Sequence, residues 1–290
     1  MERRRGTGDM SSLVSLVVTL RPTKPATVPA HLGPACQAWF LDLVRAADPA
    51  LAERLHGASR RRPYTVPSLR DTGSARRGQV TLDPGQSVWV RFTSLEKRLS
   101  AVLLEEVAPR LPATVLLGDA ELAVETATAD AEAHPWAGQS SYETLLQHHL
   151  LSSATPGRAM GLHFASPTTF RRTGGTFEGM RVPDHDLPLP LPDLVFGSLA
   201  DAWEAFAPVK LARDVRAFAA VGLSIRRFRL HTRWVNDGRS RRWGMLGTCE
   251  YQALTDDPLW LRLLHLLAAF SFFCGTGRGT TAGWGQTRTG

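Results

Sequence analysis

Hydrophobic and polar positions alternate in runs that predict a mixed fold. "SLVSLVVTLRP" is a β-branched strand ended by Pro22. Cys36, Trp39, Phe40, Leu43 and Val44 then recur at helical spacing, one face of an amphipathic helix. "ADPALAERLHG" extends it as a second short helix, with Asp48 at the N-cap, Pro49 at the first helical position and Gly57 after the end. "RPYTVPSLRD" and "SVWVRFTSL" read as strands, the latter alternating Val88, Val90 and Phe92 against Trp89, Arg91 and Thr93. The helical "EKRLSAVLLEEVAP" and the strand-like "ELAVETATA" complete a β-α-β-β-α-β order, the ferredoxin-like unit.

The second half repeats that order. "MGLHFASPTTF" is a strand and "LPDLVFGSLADAWEAFAP" a helix. "VGLSIRRFRLHTRWV" and "SRRWGMLGTCEYQAL" are paired strands around the turn "NDG". "DPLWLRLLHLLAAFSFFC" is a nearly all-apolar, hence buried, helix, and "GWGQTR" is the last strand. The expected fold class is α+β, two tandem ferredoxin-like domains. The expected parts are a basic N-terminal tail over residues 1–11, a first domain over 12–132 and a second over 158–290. Pro, Gly and Ser in "AEAHPWAGQ" and "SSATPGRA" mark the division.

Composition narrows the partners. The 290 residues carry a formal charge of +7, and only Lys24, Lys97 and Lys210 are lysines. Arginine's planar fork suits phosphate, so a polyanion is the expected partner. Cys36, Cys249 and Cys274 form no CxxC pair and read as buried apolar residues of a reduced compartment. "MERRR" before "LVSLVVTL" imitates a signal peptide but lacks a cleavage site, and Arg262 and His265 interrupt the long apolar run. A cytoplasmic protein with no membrane span is expected. His148 and His149 are adjacent and point about 100° apart on a helix, and no HExxH motif or carboxylate cluster is present. No metal and no cofactor are expected.

Five glycines, Gly275, Gly277, Gly279, Gly283 and Gly285, fall between the last helix and the last strand. Nucleotide-phosphate loops run the other way, from strand to helix, so that phosphate meets a helix N-terminus. Here the loop follows a helix C-terminus, whose dipole repels anions. An ATP or NAD site is disfavoured. The remaining readings are a flexible cap and a backbone surface on which a larger ligand lies closely.

The stretch Gly275–Gly285 holds two Gly-x-Gly elements separated by "RGTTA", with Arg278 inside. It resembles the C-terminal motif of the CRISPR-associated endoribonucleases that process precursor CRISPR RNA, members of the RAMP superfamily. "DPALAERLHG" with "RRRPYTVPSL", "LHFASPTTFRR" and "LPLPLPDLVFGSLADAWEAFAP" are similar to further family segments in the family's order. The resemblance implies two ferredoxin-like domains. It also implies metal-independent cleavage of CRISPR repeat RNA by a 2′-hydroxyl, giving 2′,3′-cyclic phosphate and 5′-hydroxyl ends. Such chemistry needs a proton acceptor, a proton donor and a cation near the phosphorane, and histidine titrates near neutrality.

By resemblance the general acid/base is His56 and the cation Arg62, six residues on, with Arg60 and Arg61 close enough to compete. Some members use a tyrosine on the first helix, where Leu41 stands here. Either His56 works with Arg62 alone, or Tyr64 or His31 substitutes. Gly275, Gly277, Arg278, Gly283, Trp284 and Gly285 are the candidate RNA-holding loop, Trp284 either anchoring the last strand or stacking on a base.

"RRFRLHTRWVNDGRSRR" holds Arg226, Arg227, Arg229, Arg233, Arg239, Arg241 and Arg242 with only Asp237 opposing. Strand periodicity puts Arg227, Arg229 and Arg233 on one face, fit for an RNA backbone. Trp234 and Trp243 either stack on bases or pack across the strands. The leading expectation is an endoribonuclease that binds CRISPR repeat RNA and crRNA and supplies other Cas subunits of an effector complex. The alternative is a non-catalytic RAMP subunit that only binds guide RNA.

Overall fold

The computed structural model describes residues 11–57, 61–211, 213–236 and 241–290. Of the expected tail only Ser11 is described. Arg60, Arg239 and the turn residues Asp237 and Gly238 lie outside the described residues.

The first half runs β1 (Leu13–Pro22), β2 (Ala26–Pro29), α1 (Gly33–Ala47), α2 (Pro49–Gly57), β3 (Tyr64–Thr65), β4 (Gln79–Leu82), β5 (Val88–Ser94), α3 (Lys97–Ala101), β6 (Thr114–Leu117) and β7 (Ala120–Thr128). Its sheet is ordered β3-β5-β1-β7-β6, with antiparallel pairs throughout. Val88, Val90 and Phe92 of β5 join a core with α1 and α2, and Trp89 lies in a separate cluster on the opposite face. Asp48 caps α2 as its sequence implies, its Oδ1 accepting from the Leu51 N–H at 2.9 Å.

Two elements bridge the halves. β8 (Gly138–Ser140) pairs with β1, and α4 (Tyr142–His149) packs against the last helix. The second half follows as β9 (Ala159–Thr168), β10 (Phe170–Arg172), β11 (Gly175–Phe177), β12 (Met180–Val182), β13 (His185–Leu187), α5 (Pro192–Phe206), α6 (Val215–Gly222), β14 (Leu223–Asn236), β15 (Arg241–Ala253), α7 (Pro258–Cys274) and β16 (Thr287–Thr289). Its sheet is ordered β14-β15-β9-β16. In both halves the first and third strands of the repeat are central neighbours and the second and fourth lie outside them. The chain is an α+β protein of two tandem ferredoxin-like halves.

Several elements differ from expectation. "RPYTVPSLRD" holds only two strand residues, because Pro63 and Pro67 have no N–H to give a ladder. Beyond them the backbone makes isolated bridges to Gly283 and Trp89. The last strand begins at Thr287, after the positive-φ glycines Gly283 and Gly285. β2, β4, β6, α6 and the small hairpins of 170–187 are additional to the expected pattern. A small apolar cluster of Val17, Trp89, Trp136, Ala137 and Ala165, joined by Phe272, seals the contact between the halves.

Candidate nucleic-acid interface

The glycine loop is required by its own geometry. Gly275, Gly277, Gly279, Gly283 and Gly285 all have positive φ, between 65° and 101°, where a side chain is strained. A Cβ on Gly277 would stand 2.4 Å from the Thr169 carbonyl oxygen, and one on Gly285 2.3 Å from that of Thr276. Gly275, Gly283 and Gly285 are buried, so they offer little surface to a ligand. Trp284 is 1% exposed, packed under Gly279 and beneath the Arg242 guanidinium at 4.4 Å. It anchors the strand and is closed to base stacking.

Most loop amides are committed. Gly275, Thr276, Arg278, Ala282, Gly283, Trp284 and Gly285 donate to backbone carbonyls, and Gly277 and Gln286 to Ser198 and Ser166 hydroxyls. The N–H groups of Gly279, Thr280 and Thr281 find no acceptor among the described residues. This apex lines a cleft of about 680 Å³ together with Arg61, Arg62, Arg171 and Arg278. Amides without an acceptor beside guanidiniums are the groups from which anion-binding concavities are built.

The cleft joins both halves. The Val66 N–H donates to the Thr280 carbonyl at 3.0 Å and the Gly283 N–H to that of Val66 at 2.8 Å, so the segment after α2 lies along the loop. His56 ends α2 with its ring exposed, and Arg62 Nη2 donates to the His56 carbonyl at 3.4 Å. Arg62 lines the cleft and bonds to the backbone of the α2 end that carries His56. Arg61, the rival to Arg62 for the cation, enters from the α2–β3 connection, and Arg171, which the sequence did not single out as a ligand, enters from β10.

The two substitutes for the absent tyrosine are placed differently. Tyr64 is fully buried against Phe40, its hydroxyl accepting from Gln37 Nε2 at 3.2 Å, and burial pushes its pKa up. It is a core residue, closed to proton transfer with a substrate. His31 is wedged at the start of α1, its Nε2 donating to the Ala282 carbonyl at 3.1 Å and its ring edge-on to Trp284. It lines a different cleft of about 780 Å³ with Ser68, Arg70, Arg233, Trp234 and Gly283. Leu41, where the tyrosine would stand, packs against the first core.

On the β14–β15 ribbon, Arg227, Arg229 and Arg233 are exposed and share a face. The opposite face carries Cys249 and Met245 into the second core. Arg226 falls at a bulge and pairs with Glu250 at 2.9 Å. Arg242 shares the Arg233 face but is spent on Trp284, and Arg241 lies on the other face. Trp234 and Trp243 are cross-strand partners, ring centroids 4.8 Å apart, and each remains about half exposed.

No group of three or more His, Cys, Asp or Glu among the described residues stands at metal-binding distance. Burial pushes the Cys36 and Cys274 thiols up to about 12, which makes both unreactive. Among the described residues no helix is long and apolar enough to cross a membrane. Arg262 of α7 instead donates to the Leu150 and Ser152 carbonyls.

The family model of the CRISPR Cas6 N-terminal domain matches residues 13–147, and that of the CRISPR-associated endoribonuclease Cas6 matches 162–287. No curated protein sequence matches. Among solved structures, a Thermus thermophilus Cas6 in a product complex is 27% identical with a TM-score of 0.73, over 96% of this chain and 99% of that one. A second Cas6 product complex is 26% identical with a TM-score of 0.72, over the same 96% and 99%. A Cas6-related protein from Pyrococcus furiosus, 12% identical with a TM-score of 0.63 over 96% and 98%, shares the fold. With both of its halves matched in order and the architecture shared from end to end, this chain belongs to the Cas6 family of CRISPR-associated endoribonucleases.

Proposed function

We propose that the protein binds CRISPR repeat RNA and cuts precursor transcripts to guide crRNAs without a metal ion. The 2′-oxygen at the cut site attacks the adjacent phosphorus, giving a 2′,3′-cyclic phosphate, and the departing 5′-oxygen takes a proton. His56 is the general acid/base, and Arg62 holds the charge that builds on the phosphorane oxygens. The amides of Gly279, Thr280 and Thr281 donate to the same phosphate, a preorganised field that needs no rearrangement during reaction. The observation that carries this reading is the convergence of three amides and Arg62 on one cleft, with Arg62 also donating to the backbone carbonyl of His56 at the end of α2.

Leu41 packed in the core and Tyr64 buried favour a second reading, a non-catalytic RNA-binding subunit. Incubation with repeat RNA in EDTA separates the two. The enzyme yields one discrete product that polynucleotide kinase labels at its 5′-hydroxyl. Intact RNA in a stable complex would overturn the first reading.

A further inference from the structure

The arginines of the ribbon and those of the cleft are in different electrostatic states. Arg227, Arg229, Arg233 and Arg241 are exposed, and no carboxylate among the described residues lies within ion-pair distance of them. In the cleft, three of the four arginines already carry one. Arg61 pairs with Asp201 of α5 at 3.3 Å, Arg171 with Asp184 at 3.0 Å and Arg278 with Asp186 of β13 at 2.6 Å. All three carboxylates come from the second half.

Asp186 is the most enclosed of the three, its side chain 18% exposed against 39% for Asp184 and 50% for Asp201. It pairs across the β10–β13 ladder with Arg171, next to the buried Phe170, so a fixed element presents its carboxylate. Apart from Asp186, Arg278 is held at its backbone, its N–H donating to the Thr169 carbonyl at 3.1 Å. Its side chain is 43% exposed. The solvent-exposed arginine side leaves the pair partly screened, and a phosphodiester oxygen can accept from the same guanidinium as the carboxylate oxygen does.

We propose that Asp186 stands in for an RNA phosphate. Arg278 holds Asp186 in the RNA-free protein and exchanges it for a backbone phosphate when RNA fills the cleft. Asp186 thereby acts as a selectivity residue: an RNA touching the cleft alone must displace a bound carboxylate. One already held by the ribbon presents its phosphate at high effective concentration and displaces it readily. This rests on the cleft being the RNA site.

The test is a titration of repeat RNA carrying a 2′-deoxy nucleotide at the cut position, over a salt series. Wild type, Asp186→Asn, Arg278→Ala and the double variant are compared, with melting temperatures to confirm folding. Asp186→Asn should bind about two- to fivefold more tightly, the competing ion pair being gone. Arg278→Ala should bind more weakly and lower the log–log salt slope by roughly 0.7–0.9. In that background Asp186→Asn should gain nothing. Weaker or unchanged binding by Asp186→Asn, with Arg62→Ala and Arg171→Ala still lowering the slope, would overturn the placeholder alone. If neither of those variants changes the slope, the cleft is not the RNA site and both readings fall.

Discussion

Replacing Gly283 with alanine tests why the loop is made of glycine. Gly283 sits at φ +101°, and a Cβ there would lie 2.3 Å from His31 Cε1, 2.7 Å from His31 Nε2 and 3.0 Å from Gly33 Cα. The backbone strain costs roughly 1–2 kcal/mol. Forcing a methyl against the ring and the α1 backbone adds about 1–3 kcal/mol. A loss of roughly 2–5 kcal/mol should lower the unfolding temperature by about 5–15 °C. Removing the ring by His31→Ala should relieve the two nearest contacts but not the strain or the Gly33 contact. The cost of Gly283→Ala should therefore shrink in that background, a coupling that a double-mutant cycle by urea denaturation reads directly. Equal costs in both backgrounds would refute the packing explanation. So would a Gly283→Ala protein of normal stability that has lost only RNA affinity, since the glycine would then serve the ligand.

Burial, helped by the charges of His148 and His265, pushes the His149 pKa down to about 4. The fold thus favours the neutral ring, and this contribution is intact above the unfolded value of about 6.5 and lost as pH falls from there towards 4. The melting temperature of wild type should drop more steeply over that window than that of His149→Gln; parallel curves would contradict this. Arg91 is fully buried over Trp136 and Phe272, with Nε and Nη1 lacking hydrogen-bond partners among the described residues and its pKa pushed down to about 9 by burial. Arg91→Met should melt at or above the wild-type temperature; a loss beyond about 2 kcal/mol would show that the ring contacts and the Phe272 carbonyl fully offset the buried charge. Alanine at Arg227, Arg229 and Arg233 should lower the RNA salt slope by roughly 2–3 without changing the melting temperature. An unchanged slope would remove the ribbon from the interface.

The repeated strand–helix order was legible because long apolar-rich segments stand out, Val88–Ser94 buried at every position and Pro258–Cys274 along most of its length beyond the first turn. The ribbon was legible from its turn and its alternation. The glycine motif was legible as a loop, but its reason was not, since positive φ and contacts with His31 and Thr169 depend on chain far away in sequence. The sequence left Trp284 open between anchoring the last strand and stacking on a base, because only the closed loop buries its ring. Tyr64 falls in a segment that reads as a strand, but nothing in that segment says that pairing with Ser94 takes the side chain into the core. The carboxylates of the cleft were invisible for another reason. Asp184 and Asp186 lie on short hairpins without periodicity, and Asp201 meets Arg61 across 140 residues of sequence.

Single-turnover cleavage of repeat RNA in EDTA by His56→Ala, beside His31→Ala, is the decisive measurement. Loss of a general acid/base group should slow His56→Ala by about 10²–10⁴-fold, with RNA affinity within about twofold of wild type and His31→Ala far less affected. A near-wild-type rate for His56→Ala, or the large loss in His31→Ala instead, would contradict the assignment.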